Sequence, residues 1–315
     1  MKKVLVTSRS FGQTSKEPFE ILENAGLSYT MMGTDFSDEK FSKVIAEYDA
    51  LIIGAHEFSV SDMERCKSLK IVAKHGAGID NIHINEAKAM GITVTNVPST
   101  NSNAVADLAF AHILNSSRGV SLTNKWVHEG KWKTFIGRDV YAKTLGLIGF
   151  GNIAKNVARR AGGFSMKVLA FDPFVKEVPE EFNSFTTLCS FEEVVTKSDI
   201  ISIHIPLTGE TKDMFDKKTL LSMKKEAVLV NTGRGGIINE ADLYTCMKEG
   251  HLMAAALDVT ASEPIEKDNP LLTLENIVIT PHVGMYSIEA VNAVSTICAR
   301  NVAKKLSGQV PDFII

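Results

Sequence analysis

The sequence has few cysteines, and their positions argue against disulfides and metal sites. The four cysteines lie far apart among 315 residues, form no C-x-x-C pair and have no histidine at metal-ligand spacing. We therefore expect reduced thiols, with neither disulfides nor a bound metal. They are Cys66, Cys189, Cys246 and Cys298.

The sequence also lacks an excess of charge of one sign and long hydrophobic runs. The net charge of −3 gives no electrostatic reason to expect a nucleic acid or an anionic membrane as partner. No run of about 18 apolar residues occurs, as a membrane-spanning helix would need. The apolar run before Thr7 is too short for a signal peptide. We therefore expect a cytoplasmic protein with no nucleic-acid or membrane partner.

The most informative segment covers residues 143–172, KTLGLIGFGNIAKNVARRAGGFSMKVLAFD. Its apolar run at 144–148 predicts a strand, and a turn with the spacing G-x-G-x-x-G/A follows directly at 149–154. Gly149 can adopt a positive φ angle. Gly151 has no Cβ atom, which lets a pyrophosphate approach the backbone at the start of the next helix. This turn is therefore a candidate dinucleotide site.

The residues after the turn support this interpretation. Apolar side chains recur at helical spacing from Ile153 to Ala161, and the run at 167–171 predicts a second strand. Asp172 ends that strand about 20 residues after Gly151. A glycine trio alone would equally fit an ordinary turn, but strand, turn, helix and delayed acid together predict a dinucleotide. Asp172 favours NAD over NADP, because a carboxylate accepts hydrogen bonds from ribose hydroxyls and repels a 2′-phosphate.

Composition and the order of elements predict two α/β domains. Hydrophobic residues at 44% and charged residues at 23% are typical of globular proteins. Strand-like runs alternate with helical segments in both halves, which predicts parallel sheets. We expect two doubly wound parallel-sheet domains, with a Rossmann NAD-binding domain (99–287) inserted in a flavodoxin-like substrate domain (1–98 and 288–315). The active site is expected in the cleft between them. An apolar helix near 104–117 is expected at the domain junction or in a dimer interface.

Three polar residues that follow predicted strands are candidates for catalysis. Arg234 lies among the glycines of NTGRGG (231–236), and its planar guanidinium suits a substrate carboxylate. Glu263 and His282 follow the next two predicted strands. Each alone has an ordinary explanation as a surface ion pair, a solvated acid or a structural histidine. Together, at the carboxyl ends of strands in a nucleotide-binding sheet, they supply the groups that hydride transfer from an alcohol requires.

With these residues in place, the chain resembles the D-isomer-specific 2-hydroxyacid dehydrogenases over nearly its whole length. The motifs are HGAGIDNI (75–82), NSNAVADLAF (101–110), GFGNIA (149–154), SIHIPLT (202–208), NTGRGG (231–236), ALDVTASEP (256–264) and TPHVG (280–284). The resemblance implies that Arg234, Glu263 and His282 are catalytic. His282 would take the hydroxyl proton while the hydride on C2 passes to the nicotinamide. Arg234 would hold the carboxylate, and Glu263 would steady the imidazolium.

The resemblance also implies the ligand-binding residues. The backbone amides of Gly76, Ala77 and Gly78 resemble the family's second grip on the substrate carboxylate, in addition to Arg234. NAD is the implied cofactor, and a homodimer is the expected assembly. Beside Gly149 and Gly151, the implied NAD site comprises Asn152, Ile153, Asp172, His204, Pro206, Thr211, Thr232, Asp258 and Gly284.

The substrate is less well defined. Residues 101–110 and 137–147 resemble short phosphoglycerate dehydrogenases, which lack the regulatory domain of longer relatives. Better-known phosphoglycerate dehydrogenases place an arginine near the position of Ala55 to meet the phosphate, whereas this loop offers only His56, with Lys74 and His75 as further candidates. The pair 3-phosphoglycerate and 3-phosphohydroxypyruvate therefore competes with unphosphorylated acids such as hydroxypyruvate or glyoxylate. In a different class, the family also includes corepressors that sense NAD(H).

Overall fold

The computed structural model describes residues 1–32 and 36–315 and divides the chain into two compact units. The first unit comprises Met1–Asn101 and Met285–Ile315, and the second comprises Ser102–Gly284. The boundaries expected from the sequence, 98/99 and 287/288, lie a few residues from these. The predicted fold class is confirmed, because each unit is built on its own parallel sheet with helices on its faces.

The two units together contain the following strands and helices. The strands are β1 (Lys3–Val6), β2 (Ser28–Met31), β3 (Ala50–Ile53), β4 (Ile71–Lys74), β5 (Thr93–Thr95), β6 (Thr144–Ile148), β7 (Lys167–Phe171), β8 (Thr186–Leu188), β9 (Ile200–Ile203), β10 (Val228–Asn231), β11 (Ala254–Leu257) and β12 (Ile277–Ile279). The α-helices are α1 (Glu17–Asn24), α2 (Asp38–Val44), α3 (Val60–Arg65), α4 (Ile84–Ala89), α5 (Ser102–Arg118), α6 (Val120–His128), α7 (Asn152–Gly163), α8 (Phe191–Lys197), α9 (Lys217–Ser222), α10 (Glu240–Lys248) and α11 (Ile288–Leu306). Short 3₁₀ helices cover Ile45–Glu47, Glu180–Phe182 and Pro270–Thr273.

The first unit has a five-stranded parallel sheet in the order β2-β1-β3-β4-β5, which is the flavodoxin-like order. Its central strand β3 is buried throughout, as its continuous apolar sequence predicts for a strand covered on both faces. The helix α11 joins this core through Val294, Cys298 and Val302. The last residues also return to this unit, where Ile314 pairs with Thr95.

The second unit has a seven-stranded parallel sheet in the order β12-β11-β10-β9-β6-β7-β8. Strand order reverses between β6 and β9, and doubly wound sheets bind ligands at the carboxyl ends of the strands beside such a reversal. One core cluster lies under α5 and α7, and a second contains buried residues of α8, α9 and α10. The apolar helix α5, expected at a junction or a dimer interface, packs Ala109, Phe110 and Ile113 into the core of this unit.

Candidate active site

The glycine turn after β6 has the backbone that the sequence predicted. Gly149 has a φ angle of 89°, and a Cβ atom there would lie 2.7 Å from the carbonyl oxygen of His204. An L-residue is therefore excluded both by conformation and by space. This glycine lets β6 approach the loop that follows β9, at the point where the strand order reverses.

Gly151 and the start of α7 have the features of a site for a pyrophosphate. A Cβ atom built on Gly151 would meet no atom within 4 Å, so space is open beside this residue. Gly151 is also the N-cap of α7, and because it has no side chain it makes no capping hydrogen bond to the first turn. Unsatisfied N–H groups at a helix N-terminus favour anionic groups. The residues at this turn therefore fit NAD.

The helix α7 carries three basic residues close to the turn, and two of them form ion pairs. Arg159 lies 2.6 Å from a carboxylate oxygen of Glu181. Arg160 lies 2.6 Å from Asp107, which links α7 to α5. Lys155 instead lies over the ring of Phe150, with its ammonium 6.0 Å from the centroid. The backbone of the turn is therefore a better candidate for phosphate contacts than these arginines.

Asp172 lies at the end of β7 and is bonded to the glycine turn. Its Oδ2 atom accepts a hydrogen bond from the amide of Phe150 at 2.8 Å, and its Oδ1 atom accepts one from the amide of Phe174 at 2.9 Å. These bonds fix the carboxylate beside the turn. A carboxylate has about four lone-pair positions, so acceptor capacity remains for ribose hydroxyls. Contact with the ribose stays a prediction.

The loop after β9 contains a neutral histidine. The Nε2 atom of His204 lies 2.9 Å from Oγ of Ser202, and its Nδ1 atom lies 3.4 Å from Oγ1 of Thr232. Burial lowers the pKa of His204 to about 3, so the imidazole is uncharged at neutral pH. Further along this loop, Thr211 accepts a hydrogen bond from Thr208 and donates one to the carbonyl of Pro206. These residues shape the loop, and their contact with NAD stays a prediction.

Arg234 is held by a tight glycine loop that follows β10. The buried side chain of Asn231 spans the loop, donating to the carbonyl of Arg234 at 2.8 Å and accepting from the amide of Gly233 at 2.9 Å. At Gly235, a Cβ atom would lie 1.9 Å from the carbonyl oxygen of Thr260. The loop of Arg234 therefore touches the loop that carries Glu263, and only glycine permits that approach.

Glu263 and His282 form a hydrogen-bonded pair. The Nδ1 atom of His282 lies 2.7 Å from Oε2 of Glu263, and both side chains are partly exposed. The Oε1 atom of Glu263 accepts a hydrogen bond from the amide of Thr260 at 3.2 Å. Since Nδ1 is occupied, the Nε2 atom of His282 is the nitrogen available for proton transfer. This is the arrangement of an imidazole oriented by a carboxylate.

The charge state of Glu263 follows from its neighbours. Burial alone would raise the pKa of Glu263, but the hydrogen bond with His282, the amide of Thr260 and the nearby charge of Arg234 together bring it below its usual value. Glu263 is therefore ionised at neutral pH. Both His282 and Arg234 thus stabilise the charged form of Glu263.

Asp258 organises the turn that carries His282. Its carboxylate is buried and accepts hydrogen bonds from the amides of Val283 and Gly284, each at 2.8 Å, while its carbonyl accepts one from the amide of His282. His282 has a φ angle of 54°, which is uncommon for a residue with a side chain and needs support from its surroundings. Asp258 provides that support. The Asp258 carboxylate thus points into the protein, and its predicted contact with NAD stays a prediction, as does that of Gly284.

The Gly76-Ala77-Gly78 loop follows β4 in the first unit. Gly76 has a φ angle of 146°, and its amide donates to the carbonyl of Lys74. Within residues 1–32 and 36–315, the amides of Ala77 and Gly78 donate to no acceptor. Two such amides fit a carboxylate by their chemistry. The Gly76 amide, which was expected to join them, is already bonded.

The part of the chain that the structure describes contains neither a candidate membrane span nor a cluster of metal ligands. No helix in residues 1–32 and 36–315 combines the length and the apolar character that crossing a bilayer requires. In the same part of the chain, no three His, Cys, Asp or Glu side chains come together as a metal site.

Comparison with protein families identifies the second unit. The model of the D-isomer specific 2-hydroxyacid dehydrogenase NAD binding domain matches residues 110–284, which contain both the glycine turn and the Glu263–His282 pair. The chain belongs to this family. The resemblance seen in the sequence is therefore confirmed, and so is NAD as the cofactor that this family's domain binds.

Several individual proteins resemble this chain over most of its length. The D-3-phosphoglycerate dehydrogenase of Methanocaldococcus jannaschii is 35% identical over 100% of this chain, which spans only 59% of that relative. The hydroxypyruvate reductase of Thermotoga maritima is 39% identical over 85% of this chain and 88% of its own length. Among solved structures, the NAD-dependent formate dehydrogenase of Staphylococcus aureus in complex with NAD is 28% identical, with a TM-score of 0.87 over 100% of this chain and 99% of that one.

Two residues that organise this candidate site were not recognised from the sequence. Asn231 could have been found, because a polar side chain that ends a buried apolar strand needs a specific partner. Glu240, the first residue of α10, accepts hydrogen bonds from the amide of Ala261 at 2.6 Å and from the side chain of Asn269 at 2.8 Å. It thereby fixes the loop of Glu263. No sequence pattern marks Glu240, because an acid in the first turn of a helix is common.

Proposed function

We propose that the chain is an NAD-dependent oxidoreductase that transfers a hydride between NAD(H) and a D-2-hydroxy acid/2-oxo acid pair, and that Arg234, Glu263 and His282 carry the reaction. The observation that carries this proposal is the 2.7 Å hydrogen bond between His282 and ionised Glu263 at the carboxyl ends of neighbouring strands. Membership of the family supports the reaction class.

Different residues of the second unit would bind the cofactor, transfer the proton and bind the substrate carboxylate. NAD, when bound, supplies the hydride chemistry at its nicotinamide. The glycine turn and Asp172 would hold the cofactor. In the direction of oxidation, Nε2 of His282 takes the proton of the substrate hydroxyl, and Glu263 stabilises the resulting imidazolium. Arg234 binds the substrate carboxylate with its planar fork of donors.

The remaining predicted ligand contacts are part of the same proposal. For the substrate, we retain the Gly76-Ala77-Gly78 loop as a further set of carboxylate donors. For the cofactor, the proposed contacts include Asn152, Ile153, His204, Pro206, Thr211, Thr232, Asp258 and Gly284. Of these, Asn152 and Ile153 have the clearest support, because they form the first turn of α7 beside the open space at Gly151.

Among the possible substrates, the first unit favours an unphosphorylated 2-oxo acid such as hydroxypyruvate or glyoxylate. His56 was the candidate cation for a phosphate, but burial lowers its pKa and its ring packs between Phe36 and Phe41. Its ring nitrogens lie within hydrogen-bond distance of the hydroxyl of Thr7 and the carbonyl of Glu57. A neutral, bonded imidazole provides little attraction for a phosphate dianion.

The other two candidate cations are also engaged. The ammonium of Lys74 donates to the carbonyl of Gly54 at 2.7 Å and to Oδ1 of Asn81 at 2.8 Å. Burial, with a smaller effect of Lys74, lowers the pKa of His75 to about 4, so this side chain is uncharged at neutral pH. The pair 3-phosphoglycerate and 3-phosphohydroxypyruvate is therefore the less favoured substrate pair.

A panel of 2-oxo acids tests the function. NADH oxidation is measured with hydroxypyruvate, glyoxylate and 3-phosphohydroxypyruvate, using the His282→Ala variant to subtract contaminating activity. We expect the highest kcat/KM with an unphosphorylated acid. A preference for 3-phosphohydroxypyruvate would contradict the substrate assignment alone. NADH binding without turnover of any acid would instead favour the corepressor-like sensor and contradict the enzyme.

We further propose a cytoplasmic homodimer. All four cysteines are free thiols, as suits a reducing compartment.

The segment 120–141 exposes several large apolar side chains, and the most exposed are Trp132 at 93% and Ile136 at 90%. Such exposure marks an interaction surface. Since α5 is committed to the core, this segment is the better candidate for the dimer contact. Light scattering of Trp132→Ser and Ile136→Ser variants tests it, and an unchanged dimer would reject this surface.

A further inference from the structure

His112 is a buried histidine that the proposed mechanism does not use. It lies on α5, which packs against β10, β11 and β12, and its side chain is only 3% exposed. Its Nε2 atom lies 3.1 Å from Oγ1 of Thr280. Thr280 lies two residues before His282, so the imidazole of His112 stands directly behind the turn that carries the proposed acid–base residue.

The hydrogen bonds of Thr280 determine the direction of this contact. The Thr280 hydroxyl donates its single proton to Oδ1 of Asp258 at 2.6 Å. Towards His112 the same oxygen can only accept, because a hydroxyl has one proton to donate. The proton of the neutral His112 imidazole must therefore be on Nε2. Burial lowers the pKa of His112, while the nearby Asp258 opposes that effect.

The chain of hydrogen bonds continues from Asp258 to the catalytic turn. The Oδ1 atom that accepts from Thr280 also accepts from the amide of Val283, and Oδ2 accepts from the amide of Gly284. The backbone of Gly284 is packed closely against Asp258, because a Cβ atom on Gly284 would lie 3.1 Å from Oδ2 of Asp258. Rotation of the Asp258 carboxylate would therefore move both amides that follow His282.

We propose that His112 is a positioning residue: its Nε2–H group fixes the Thr280 hydroxyl on Asp258, and Asp258 in turn fixes the backbone that aims His282. This inference rests on the proposed function for the role of His282. The simpler alternative is that His112 only fills space on the buried face of α5, as a leucine would. The positioning role requires the Nε2–H donor of His112, whereas filling space requires only a side chain of similar volume.

Paired substitutions separate the donor from the volume. His112→Leu removes the donor, whereas His112→Gln places an amide NH₂ close to the position of Nε2. We expect His112→Leu to lower kcat on the order of tenfold, the size of one lost buried hydrogen bond, with little change in KM. His112→Gln should restore most of the loss. Equal losses in the two variants would overturn the proposal.

A double-mutant cycle tests whether His112 acts through Thr280. Thr280→Val removes the hydroxyl that links His112 to Asp258. Adding His112→Leu to Thr280→Val should then cause little further loss of kcat, because the link is already broken. Losses that multiply independently would reject the link. Ile113→Val, on the same helix but in the core, is the matched control for a general loss of packing and should leave kcat unchanged.

A measurement that does not depend on turnover separates this inference from the proposed function. In a ¹⁵N-histidine-labelled protein, two-bond correlation spectra distinguish the two neutral tautomers, and the His112→Gln variant assigns the signal. We expect the Nε2–H tautomer for His112 at pH 7 and a change in this signal in Thr280→Val. A Nδ1–H tautomer or a charged ring would overturn the network. If no 2-oxo acid is reduced while the Nε2–H tautomer is found, the proposed function fails and the hydrogen-bond network stands.

Discussion

The Nδ1 atom of His282 lies 2.7 Å from Oε2 of Glu263, although the two residues follow different strands, β12 and β11. Parallel pairing of these strands places their carboxyl ends side by side, which brings the two loops together. Glu263 is ionised, so the pair combines a fixed carboxylate with an imidazole whose Nε2 atom is available. The pairing of these strands in the sheet therefore brings the carboxylate and the imidazole together.

Glu263→Gln should lower kcat without preventing folding. The amide is nearly isosteric with the carboxylate but lacks the charge that stabilises the imidazolium form of His282. Loss of one charge-assisted hydrogen bond corresponds to about 10- to 10²-fold in rate. Removing the imidazole itself, in His282→Ala, should cost more, on the order of 10²- to 10⁴-fold. Steady-state kinetics with the best 2-oxo acid compares the two, and a larger loss in Glu263→Gln would reverse their assigned roles.

Gly235→Ala should damage the active site through the backbone alone. The new Cβ atom would lie 1.9 Å from the carbonyl oxygen of Thr260, so the loops of Arg234 and Glu263 must separate. Overpacking of this kind costs about 1–3 kcal/mol, which chemical denaturation can measure together with activity. Gly209→Ala is the matched control, because its Cβ atom would meet nothing within 4 Å. Equal stability of the two variants would show that the close approach is absent in solution.

The sequence predicted the dinucleotide half of this protein well, because that prediction depends on local features. Gly149, Gly151 and Asp172 fall within one strand–turn–helix–strand unit, where spacing determines geometry. Arg234, Glu263 and His282 could be selected as candidates from the sequence, since each follows an apolar strand, and their catalytic roles stay predictions. Their pairing could not be derived from spacing, because it depends on which strands become neighbours in the sheet.

Contacts over long sequence separations were not predictable. In the sequence, His56 was the only candidate cation of its loop, but its packing against Phe36 and Phe41 becomes visible only in the fold. His112 lies 168 residues from Thr280 in the chain, and a histidine on an apolar helix gives no sign of such a partner. The apolar sequence of α5 suggested a domain junction or a dimer interface, but its packing against α7 and β10 could not be deduced from that sequence.

Gly151→Ala tests the cofactor site while leaving the protein fold intact. Nothing lies within 4 Å of the added Cβ atom, and the φ angle of −78° suits alanine, so stability should be unchanged. The methyl group would occupy the space at the start of α7 where the pyrophosphate is expected. We predict an NADH dissociation constant raised on the order of tenfold, as one lost close approach implies. Fluorescence titration measures it, and an unchanged affinity would move the pyrophosphate away from this turn.

His75 should make the stability of the protein depend on pH below neutrality. Its side chain lies at 4% exposure against Ser295, 2.8 Å from the hydroxyl, and burial lowers its pKa to about 4 in the folded state. In the unfolded chain the pKa is about 6.5. Between these two values the unfolded state binds more protons, so stability is present above about pH 6.5 and is lost as the pH falls towards 4.

His75→Gln removes this proton uptake while keeping a polar group that can reach Ser295. Between pH 7 and pH 5, the wild type should lose about 2 kcal/mol more unfolding free energy than the variant. Urea denaturation at both pH values measures the difference. The other histidines whose pKa is lowered by burial, His56, His112 and His204, contribute equally to both proteins and cancel. If the two proteins lose the same stability over this range, His75 is either protonated in the folded state or exposed to water. The burial of His75, which precedes the Gly76-Ala77-Gly78 loop, would then be absent in solution.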